Sequence, residues 1–241
     1  MKDQDLILQN ITIKYGELTV YENFSHCFKQ NTIHALMGKS GCGKTTLLKG
    51  IARLIDYEGS IIFPYDDKKV SFLFQDMRLL PWLSIEKNIQ LVLKNTMTHT
   101  ESQERTAFYL EKVGLTDKKN KLPKELSGGE QQRAALARSF AFPSNLLLMD
   151  EAFQSQDVHL KLQLMELLLQ LLEKDPKTVL LVTHDIREAF CLADTLITFS
   201  SKPISICNEK IIQHKNSSLI DNYISPSKEL LELEKDFIQK I

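Results

Sequence analysis

The chain has 241 residues, of which 43% are hydrophobic and 25% are charged, a composition typical of a globular protein with a sizeable core. Its 30 lysine and arginine residues are balanced by 31 aspartates and glutamates, so the formal net charge is −1. No overall positive field exists to attract a phosphate backbone, and we expect no nucleic-acid partner. The length favours a single domain over residues 1–241.

Cysteine usage and hydropathy exclude further classes of protein. No C-x-x-C pair is present, so neither a zinc site nor a disulfide framework is predicted for Cys27, Cys42, Cys191 and Cys207. The N-terminus has acidic residues near its start and no long apolar stretch, unlike a secretory signal. The most apolar window, residues 160–172, is interrupted by polar residues and is shorter than the roughly 20 apolar residues that cross a bilayer. We therefore expect any membrane role to come through a partner.

The first predicted elements are two antiparallel strands. Residues 7–13 and 19–28 are rich in β-branched and aromatic side chains, and they flank a turn pattern at Tyr15-Gly16-Glu17. Four later apolar runs are typical of buried, mainly parallel strands: residues 32–37, 70–74, 146–149 and 179–182. Helical patterns fill the intervals. The sequence thus predicts an α/β fold with a mixed, mainly parallel sheet flanked by helices and an antiparallel β layer at the start.

The middle of the chain is predicted to be helical. Residues 84–95 and 101–113 have helical spacing, with no strand signal between them. Near the C-terminus, a loop rich in serine precedes a charged helix that is predicted to begin at Lys228. We therefore divide the single domain into three parts: a core of residues 1–75 and 142–210, a helical lobe of residues 76–141, and a short tail of residues 211–241.

The strongest local signal is a glycine-rich loop between a predicted strand and a predicted helix. It matches the G-x-x-x-x-G-K-[ST] phosphate loop of P-loop NTPases at Gly38, Lys39, Ser40, Gly41, Cys42, Gly43, Lys44 and Thr45. Such a loop points backbone N–H groups at phosphate oxygens, and the helix N-terminus favours anions. Lys44 is expected to contact the β- and γ-phosphates, Thr45 to bind Mg²⁺, and Thr46 to lie at the nucleotide. The alternative is a glycine-rich turn that only caps a helix.

The apolar run at residues 146–149 ends in two acidic residues. Strand ends in α/β sheets deliver side chains to the nucleotide crevice. Asp150 is therefore expected to hold Mg²⁺, and Glu151 to accept a proton from the attacking water. The alternative for Glu151 is a solvated surface acid. With the phosphate loop, these residues indicate an ATPase or GTPase but not its kind.

A third motif indicates the kind of NTPase. It comprises Ser127, Gly128, Gly129 and Glu130, in which the serine can cap a helix and the glycines leave N–H groups free for an anion. This run resembles the signature motif of the ABC transporter ATPase family. Along the whole chain, the residues that match the family's other motifs occur in the expected order and spacing: Tyr15, Gln75, Asp157 and His184. Singly, His184 is also compatible with a packed or surface histidine, and Gln75 with a polar loop residue.

The resemblance implies a homodimer in which two chains, arranged head to tail, enclose two ATP molecules. Each site would pair the phosphate loop of one chain with the signature residues Ser127 to Glu130 of the other. It also implies individual roles: Gln75 with Thr45 and Asp150 around Mg²⁺, Gln75 as a sensor of the γ-phosphate, Glu151 and His184 in catalysis, Asp157 in coupling within the dimer, and Tyr15 stacked on adenine.

The residues after Gln75 indicate a subgroup. Residues 76–83 are similar to the corresponding segment of ATPases from nitrate, sulfonate and taurine importers, a group that includes importers of a thiamine precursor. The family's membrane subunit docks in this region, so Arg78, Leu80 and Trp82 are predicted to form the docking surface, and Leu79 and Leu83 to be core. The resemblance implies two integral-membrane permease subunits, an extracytoplasmic solute-binding protein, and a peripheral location at the cytoplasmic face of the membrane. It leaves the solute open.

Two other functions are compatible with these motifs, and one residue departs from the family pattern. The rivals are a soluble ABC ATPase that acts on a macromolecular complex and a degenerate binding module that does not hydrolyse ATP. The departure is the polar Gln156 directly before Asp157, where the family usually has a small or apolar pair. We expect this change to alter the communication between the two sites. The chain ends soon after the expected fold closes, so we expect no additional regulatory domain.

Overall fold

The N-terminal segment forms the antiparallel layer that its β-branched and aromatic residues predict. In this computed structural model, which describes residues 5–63, 69–154, 157–201, 203–212, 219–224 and 230–232, β1 (Leu6–Tyr15) pairs with β2 (Leu18–Phe28) around the predicted turn. A third strand, β4 (Glu58–Ile62), pairs with β1 on its other side. The sequence does not predict β4, because its residues EGSII combine a glycine with polar side chains and show no clear alternation.

A six-stranded sheet of order β5-β6-β7-β3-β8-β9 forms the centre of the molecule. All neighbouring strands are parallel except β9, which runs antiparallel to β8. This mixed, mainly parallel sheet confirms the predicted fold class. Its strands are β3 (Ile33–Met37), β5 (Val70–Leu73), β6 (Leu146–Asp150), β7 (Thr178–Val182), β8 (Thr195–Phe199) and β9 (Ile206–Ile211). The sequence predicts the first four of these strands but not β8 or β9.

Each face of the central sheet packs into its own hydrophobic core. Because successive side chains of a strand point to opposite faces, Leu36 enters the core beneath the antiparallel sheet and α1, whereas its neighbours Ala35 and Met37 enter the core beneath the remaining helices. Strands β6 and β7 alternate in the same way. Burial on both faces explains why these strands appear in the sequence as continuous apolar runs.

Helices occupy the intervals between strands. They are α1 (Lys44–Ile51), α2 (Ile85–Leu93), α3 (His99–Lys112), α4 (Gly128–Ala141), α5 (Val158–Lys174), α6 (Ile186–Leu192) and α7 (Leu219–Ile224). Between β5 and β6 the chain forms only α2, α3, α4 and short 3₁₀ turns, and these three helices pack on one another. The helical prediction for this segment therefore agrees with the structure, while the division into core, lobe and tail stays a prediction.

Two further predictions concern the termini and the membrane. Of the helix predicted from Lys228, residues 230–232 are helical, and the rest lies outside the described residues. Leu230 belongs to the main core, which is the one beneath the remaining helices, so this part of the tail packs onto the fold. Within the described ranges, no helix combines the length and apolarity that crossing a membrane requires.

Candidate nucleotide site

The site lies at one edge of the central sheet, where four neighbouring parallel strands end. The phosphate loop follows β3, Asp150 ends β6, and Gln75 and His184 come two residues after β5 and β7. Parallel strands place their carboxyl ends at the same edge, so residues distant in sequence converge there. The phosphate loop, Gln75 and Asp150 border a cleft of about 280 Å³, lined by Tyr15, Val20, Ser40, Gly41, Gly43, Lys44, Thr45, Thr46, Gln75, Asp150 and Glu151.

Lys44 is folded back into the phosphate loop. Its Nζ donates hydrogen bonds to the carbonyl oxygens of Gly38 (2.8 Å) and Lys39 (3.0 Å), and it lies 3.7 Å from Sγ of Cys42. Lys44 is only 6% exposed, so these contacts satisfy a buried ammonium group. An anion entering the loop would offer a stronger, charge-assisted partner than a carbonyl oxygen.

Gly43 shows why the loop requires glycine directly before α1. Its φ of +128° lies in a region that other residues rarely adopt. A Cβ at this position would lie 2.5 Å from Cδ1 of Ile204 and 2.6 Å from Cγ1 of Val20. The hydroxyl of the buried Tyr21 donates to the Gly43 carbonyl at 3.2 Å. The loop is therefore held against β2 by contacts within the protein.

Thr45 and Asp150 form the oxygen-rich part of the cleft. The Thr45 hydroxyl donates to Oδ1 of Asp150 at 2.9 Å. Burial raises the pKa of the Asp150 carboxyl, while the Thr45 hydrogen bond opposes that shift and the Glu151 charge adds to it. A cation would relieve this desolvated carboxylate, and hydroxyl and carboxylate oxygens are ligands that Mg²⁺ accepts.

Mg²⁺ at this position would depend on the nucleotide for much of its coordination. Within the described parts of the chain, no group of three or more His, Cys, Asp or Glu side chains could hold a metal alone. That fits Mg²⁺, which is usually bound through one or two protein ligands, substrate phosphates and water. The residues present therefore suit a metal that arrives with ATP.

Glu151 has an unusual backbone conformation directly after β6. Its φ is +50°, in the left-handed region that is uncommon for residues other than glycine. Its N–H donates to the Val182 carbonyl of β7 at 2.9 Å, which fixes this conformation. Its Oε1 lies 3.8 Å from Nδ1 of His184, whose side chain is 56% exposed. The Glu151 carboxylate and the His184 ring thus lie close to each other, while their catalytic roles stay predictions.

Gln75 lies in the cleft lining, and its side-chain partner is not predicted by any motif of the sequence. Its Nε2 donates to Oε1 of Gln154 at 2.6 Å. The backbone N–H of Gln154 in turn donates to the Glu151 carbonyl at 3.1 Å. The Gln75 side chain is therefore joined to the segment that carries Glu151.

The signature residues are arranged locally, outside the cleft. Ser127 caps α4 in a capping box: its hydroxyl accepts from the Glu130 N–H, and the Glu130 carboxylate accepts from the Ser127 N–H. A hydrogen bond from Lys118, followed by the one from the Ser127 backbone, lowers the pKa of Glu130 to about 2. Ser127 and Gly128 are exposed, and none of the four signature residues is among those that line the cleft.

The remaining predicted site residues occupy exposed positions. Oδ1 of Asp157 accepts from the Leu160 N–H at 3.0 Å and caps α5. Tyr15 is 49% exposed beside the cleft. Gln156, which departs from the family pattern, lies outside the described residues.

A charge cluster, which no sequence motif predicts, directly follows His184. Asp185 caps α6, and its Oδ2 accepts from Nζ of Lys161 (2.7 Å) and from the hydroxyl of Tyr223 (3.0 Å). Glu188 lies 3.9 Å from Lys161 and is 3% exposed, and burial raises its pKa to about 8. The only sequence signal for this cluster is the acid after His184 at the start of a helix.

Comparison with known proteins identifies the family. A family model described as ABC transporter matches residues 21–154. The uncharacterized ABC transporter ATP-binding protein YtlC of Bacillus subtilis is 44% identical over 179 residues, which cover 71% of this chain and 69% of YtlC. The aliphatic sulfonates import ATP-binding protein SsuB 1 of Paracoccus denitrificans is 38% identical over 210 residues, covering 86% and 84%.

Solved structures agree with this result. A dimeric ATP-binding cassette in a post-hydrolysis state with ADP and Pi superimposes with a TM-score of 0.72 at 29% identity, covering 87% of this chain and 100% of the other. For cbiO1 of Clostridium perfringens, part of an ABC transporter complex, the TM-score is 0.77 at 20% identity, with 87% and 89% covered, which supports the fold alone. The chain therefore belongs to the ABC transporter family as an ATP-binding subunit, an ATPase coupled to transport, in the group of the sulfonate and nitrate importers.

Proposed function

We propose that this chain hydrolyses ATP in a head-to-tail homodimer that drives the import of a small solute through two separate permease subunits. One observation supports the dimer. The cleft brings together Lys44, Thr45, Asp150 and Glu151, whereas the exposed signature turn of the same chain is not part of its lining. A helix N-terminus with free N–H groups is an anion site only if an anion reaches it. A second copy of the chain would bring its phosphate loop to this turn.

Within each site, the chain's own residues would bind and orient the nucleotide. Phosphate oxygens would replace the Gly38 and Lys39 carbonyls as partners of Lys44, and the N–H groups of the loop would hold the β-phosphate. Mg²⁺ held by Thr45, Asp150 and Gln75 would offset the phosphate charge.

Glu151 would orient a water molecule for attack on the γ-phosphorus and accept its proton as the bond to ADP breaks. The fixed backbone at Glu151 suits this role, because a base that is already positioned requires little reorganisation. His184, 3.8 Å from the Glu151 carboxylate, would stabilise charge that develops on the transferred phosphate.

The docking surface for a permease would lie on the segment after Gln75. Trp82 is 70% exposed, more than nearly all other large hydrophobic side chains of the described residues. The Arg78 guanidinium lies 3.7 Å from the centre of the Phe74 ring, and Arg138 donates at 2.7 Å to the Arg78 carbonyl. Leu79 packs against the main core, as predicted. The segment thus presents an exposed tryptophan and an arginine held against Phe74, and both residue types are typical of interface hot spots.

The names of the relatives favour one class of solute. Several relatives at 38% to 40% identity are aliphatic sulfonate import ATP-binding proteins. We therefore infer an aliphatic sulfonate or a similar small anion as the solute, delivered to the permeases by an extracytoplasmic binding protein. The ATPase itself would be peripheral at the cytoplasmic face of the membrane. The names of the relatives thus favour a sulfonate over nitrate and over a thiamine precursor as the solute.

Complementation between two inactive variants tests the shared site. Lys44→Ala removes phosphate binding in its own chain, and Ser127→Arg obstructs the ATP of the partner. Each homodimer should be inactive, but a mixture should regain measurable ATPase activity and sulfonate uptake, because the mixed dimer contains one intact site. The matched control mixes Ser127→Arg with a chain that carries both Lys44→Ala and Ser127→Arg. This mixture should regain no ATPase activity, because neither of its sites is intact. Wild-type turnover by Ser127→Arg, or failure of the mixture to recover, would overturn the model.

A further inference from the structure

Gln132 connects the signature helix to the catalytic segment within one chain. It lies in the second turn of α4, is 5% exposed, and donates a hydrogen bond from Nε2 to the carbonyl of Ala152. Ala152 directly follows Glu151. Because a carbonyl oxygen only accepts hydrogen bonds, the amide NH₂ group must face Ala152, and the orientation of the side chain is fixed.

The environment of Gln132 argues against a purely packing role. Its Oε1 is buried without a hydrogen-bond partner among the described residues. A half-satisfied buried amide is unfavourable, and a methionine of similar length would fill the same space without an unpaired acceptor. The feature that distinguishes glutamine from methionine here is the donor that reaches Ala152.

The contact falls where the backbone needs support. Glu151 adopts a φ of +50°, and such a conformation persists only when neighbouring contacts fix it. On one side, the Glu151 N–H is bound to Val182 of β7. On the other side, Gln132 holds the carbonyl of the next residue. The direction of the Glu151 carboxylate therefore depends on both β7 and α4.

The start of α4 has a second contact with the region after β6. A Cβ on Gly129 would lie 2.7 Å from Cδ1 of Leu160, in the first turn of α5. Asp157, the predicted coupling residue, caps that helix. The first two turns of α4 thus touch both Ala152 and α5, so a displacement of the signature turn would be transmitted to them.

We propose that Gln132 is a positioning residue for Glu151 of its own chain, acting through the Ala152 carbonyl. Resting on the shared site proposed above, it also links two ATP molecules: the one contacted by Ser127 across the dimer interface and the one hydrolysed by Glu151 in its own chain. Seating of the signature turn on the partner's nucleotide would thereby fix the Glu151 loop of the opposite site. This route lies within one chain and does not pass through the partner.

Kinetics of Gln132→Met provide the first test. The variant keeps side-chain length and removes the donor, so kcat should fall about tenfold or more through misplacement of Glu151. The KM for ATP and the affinity for ATP should stay within about twofold, since the phosphate loop is untouched. Gln163→Met, the same change at an exposed position of α5, is the control and should leave both unchanged. Wild-type kcat in Gln132→Met would overturn the proposal.

Mixed dimers decide in which site Gln132 acts, even if the variant is also less stable. With Gln132→Met and Ser127→Arg in the same chain, opposite a wild-type chain, both sites should be damaged. With the two changes in opposite chains, they fall on the same site and the other stays intact. The second arrangement should therefore be several times more active. A second arrangement no more active than the first would contradict the proposal.

The outcomes separate this proposal from the shared site. If Ser127→Arg homodimers hydrolyse ATP normally, the shared site fails, whatever Gln132→Met does. If complementation succeeds but the same-chain arrangement is the more active one, the shared site stands and Gln132 acts on the partner's nucleotide, which contradicts positioning of Glu151 within its own chain.

Discussion

The nucleotide cleft and the signature turn are built in opposite ways. In the cleft, Thr45 and Asp150 meet at 2.9 Å although 105 positions separate them in the chain. In the signature turn, Ser127 and Glu130 bond to each other across three positions. The cleft therefore exists only in the folded chain, whereas the shape of the signature turn is fixed locally. Its proposed use requires a second chain.

The charged groups near the two regions also differ in what shifts their pKa values. Behind the cleft, Lys161, Asp185 and Glu188 form a cluster whose members are mostly buried, and burial raises the pKa of Glu188 to about 8. Beside the signature turn, Lys118 and Glu130 pair nearer the surface, and the pKa of Glu130 falls to about 2. Desolvation sets the direction of the pKa shift at Glu188, whereas hydrogen bonding sets it at Glu130.

The largest expected effect lies in the cleft. Glu151→Gln should retain ATP binding but lose at least about a hundredfold in turnover, because an amide cannot accept the proton of the attacking water. Steady-state ATPase assays and nucleotide-binding measurements check this. Glu166→Gln, at an exposed position of α5, is the matched control and should be neutral. Unchanged turnover in Glu151→Gln would remove Glu151 from its proposed role.

Two capping boxes of the same local geometry sharpen the comparison. Thr98 with Glu101 caps α3 as Ser127 with Glu130 caps α4. Thr98→Ala and Ser127→Ala should each lower the free energy of unfolding by about 1 kcal/mol. Only Ser127→Ala should also reduce kcat, by about tenfold, through loss of a hydrogen bond to the partner's ATP. Urea denaturation and ATPase assays measure both; an equal loss of turnover in both variants would make the Ser127 effect structural.

The smallest effect is a pH dependence of stability. The pKa of Glu188 is raised to about 8 by burial, opposed by the charge of Lys161 and reinforced by that of Asp185. As pH rises from the ordinary glutamate pKa towards 8, the unfolded chain releases this proton and the folded chain keeps it, so stability is lost over that window. The free energy of unfolding of Glu188→Gln, relative to that of wild type, should therefore increase by at least about 1 kcal/mol between pH 5 and pH 8.

Thermal or urea denaturation at several pH values tests this difference. Glu130 provides the contrast, since a carboxyl with a pKa of about 2 is ionised in the folded chain throughout that window. Glu130→Gln should show no comparable gain. A stability difference between Glu188→Gln and wild type that is flat from pH 5 to pH 8 would mean that Glu188 is ionised in the folded chain.

Much of the candidate site is predictable from sequence because its motifs are local. The phosphate loop, the Asp150-Glu151 pair and the Ser127 cap each occupy a few consecutive residues with distinctive types. Four of the five parallel strands of the central sheet are predictable for the same reason, since burial on both faces leaves continuous apolar runs. Strands β4 and β9 are not, because none of their residues is fully buried and neither EGSII nor ICNEKI alternates apolar with polar side chains. Strand β8 is not predicted either, since threonines interrupt its apolar run.

By itself, the sequence determined the identity of the motifs, the cap at Ser127 and the class of fold. Only the tertiary structure decided that β6 lies between β5 and β7, that Gln132 meets Ala152, and that Tyr223 reaches Asp185 from the C-terminal region. The physical reason is range. A cap or a glycine turn is stabilised by neighbours a few residues away, whereas these contacts depend on the burial and packing of segments that the sequence places far apart.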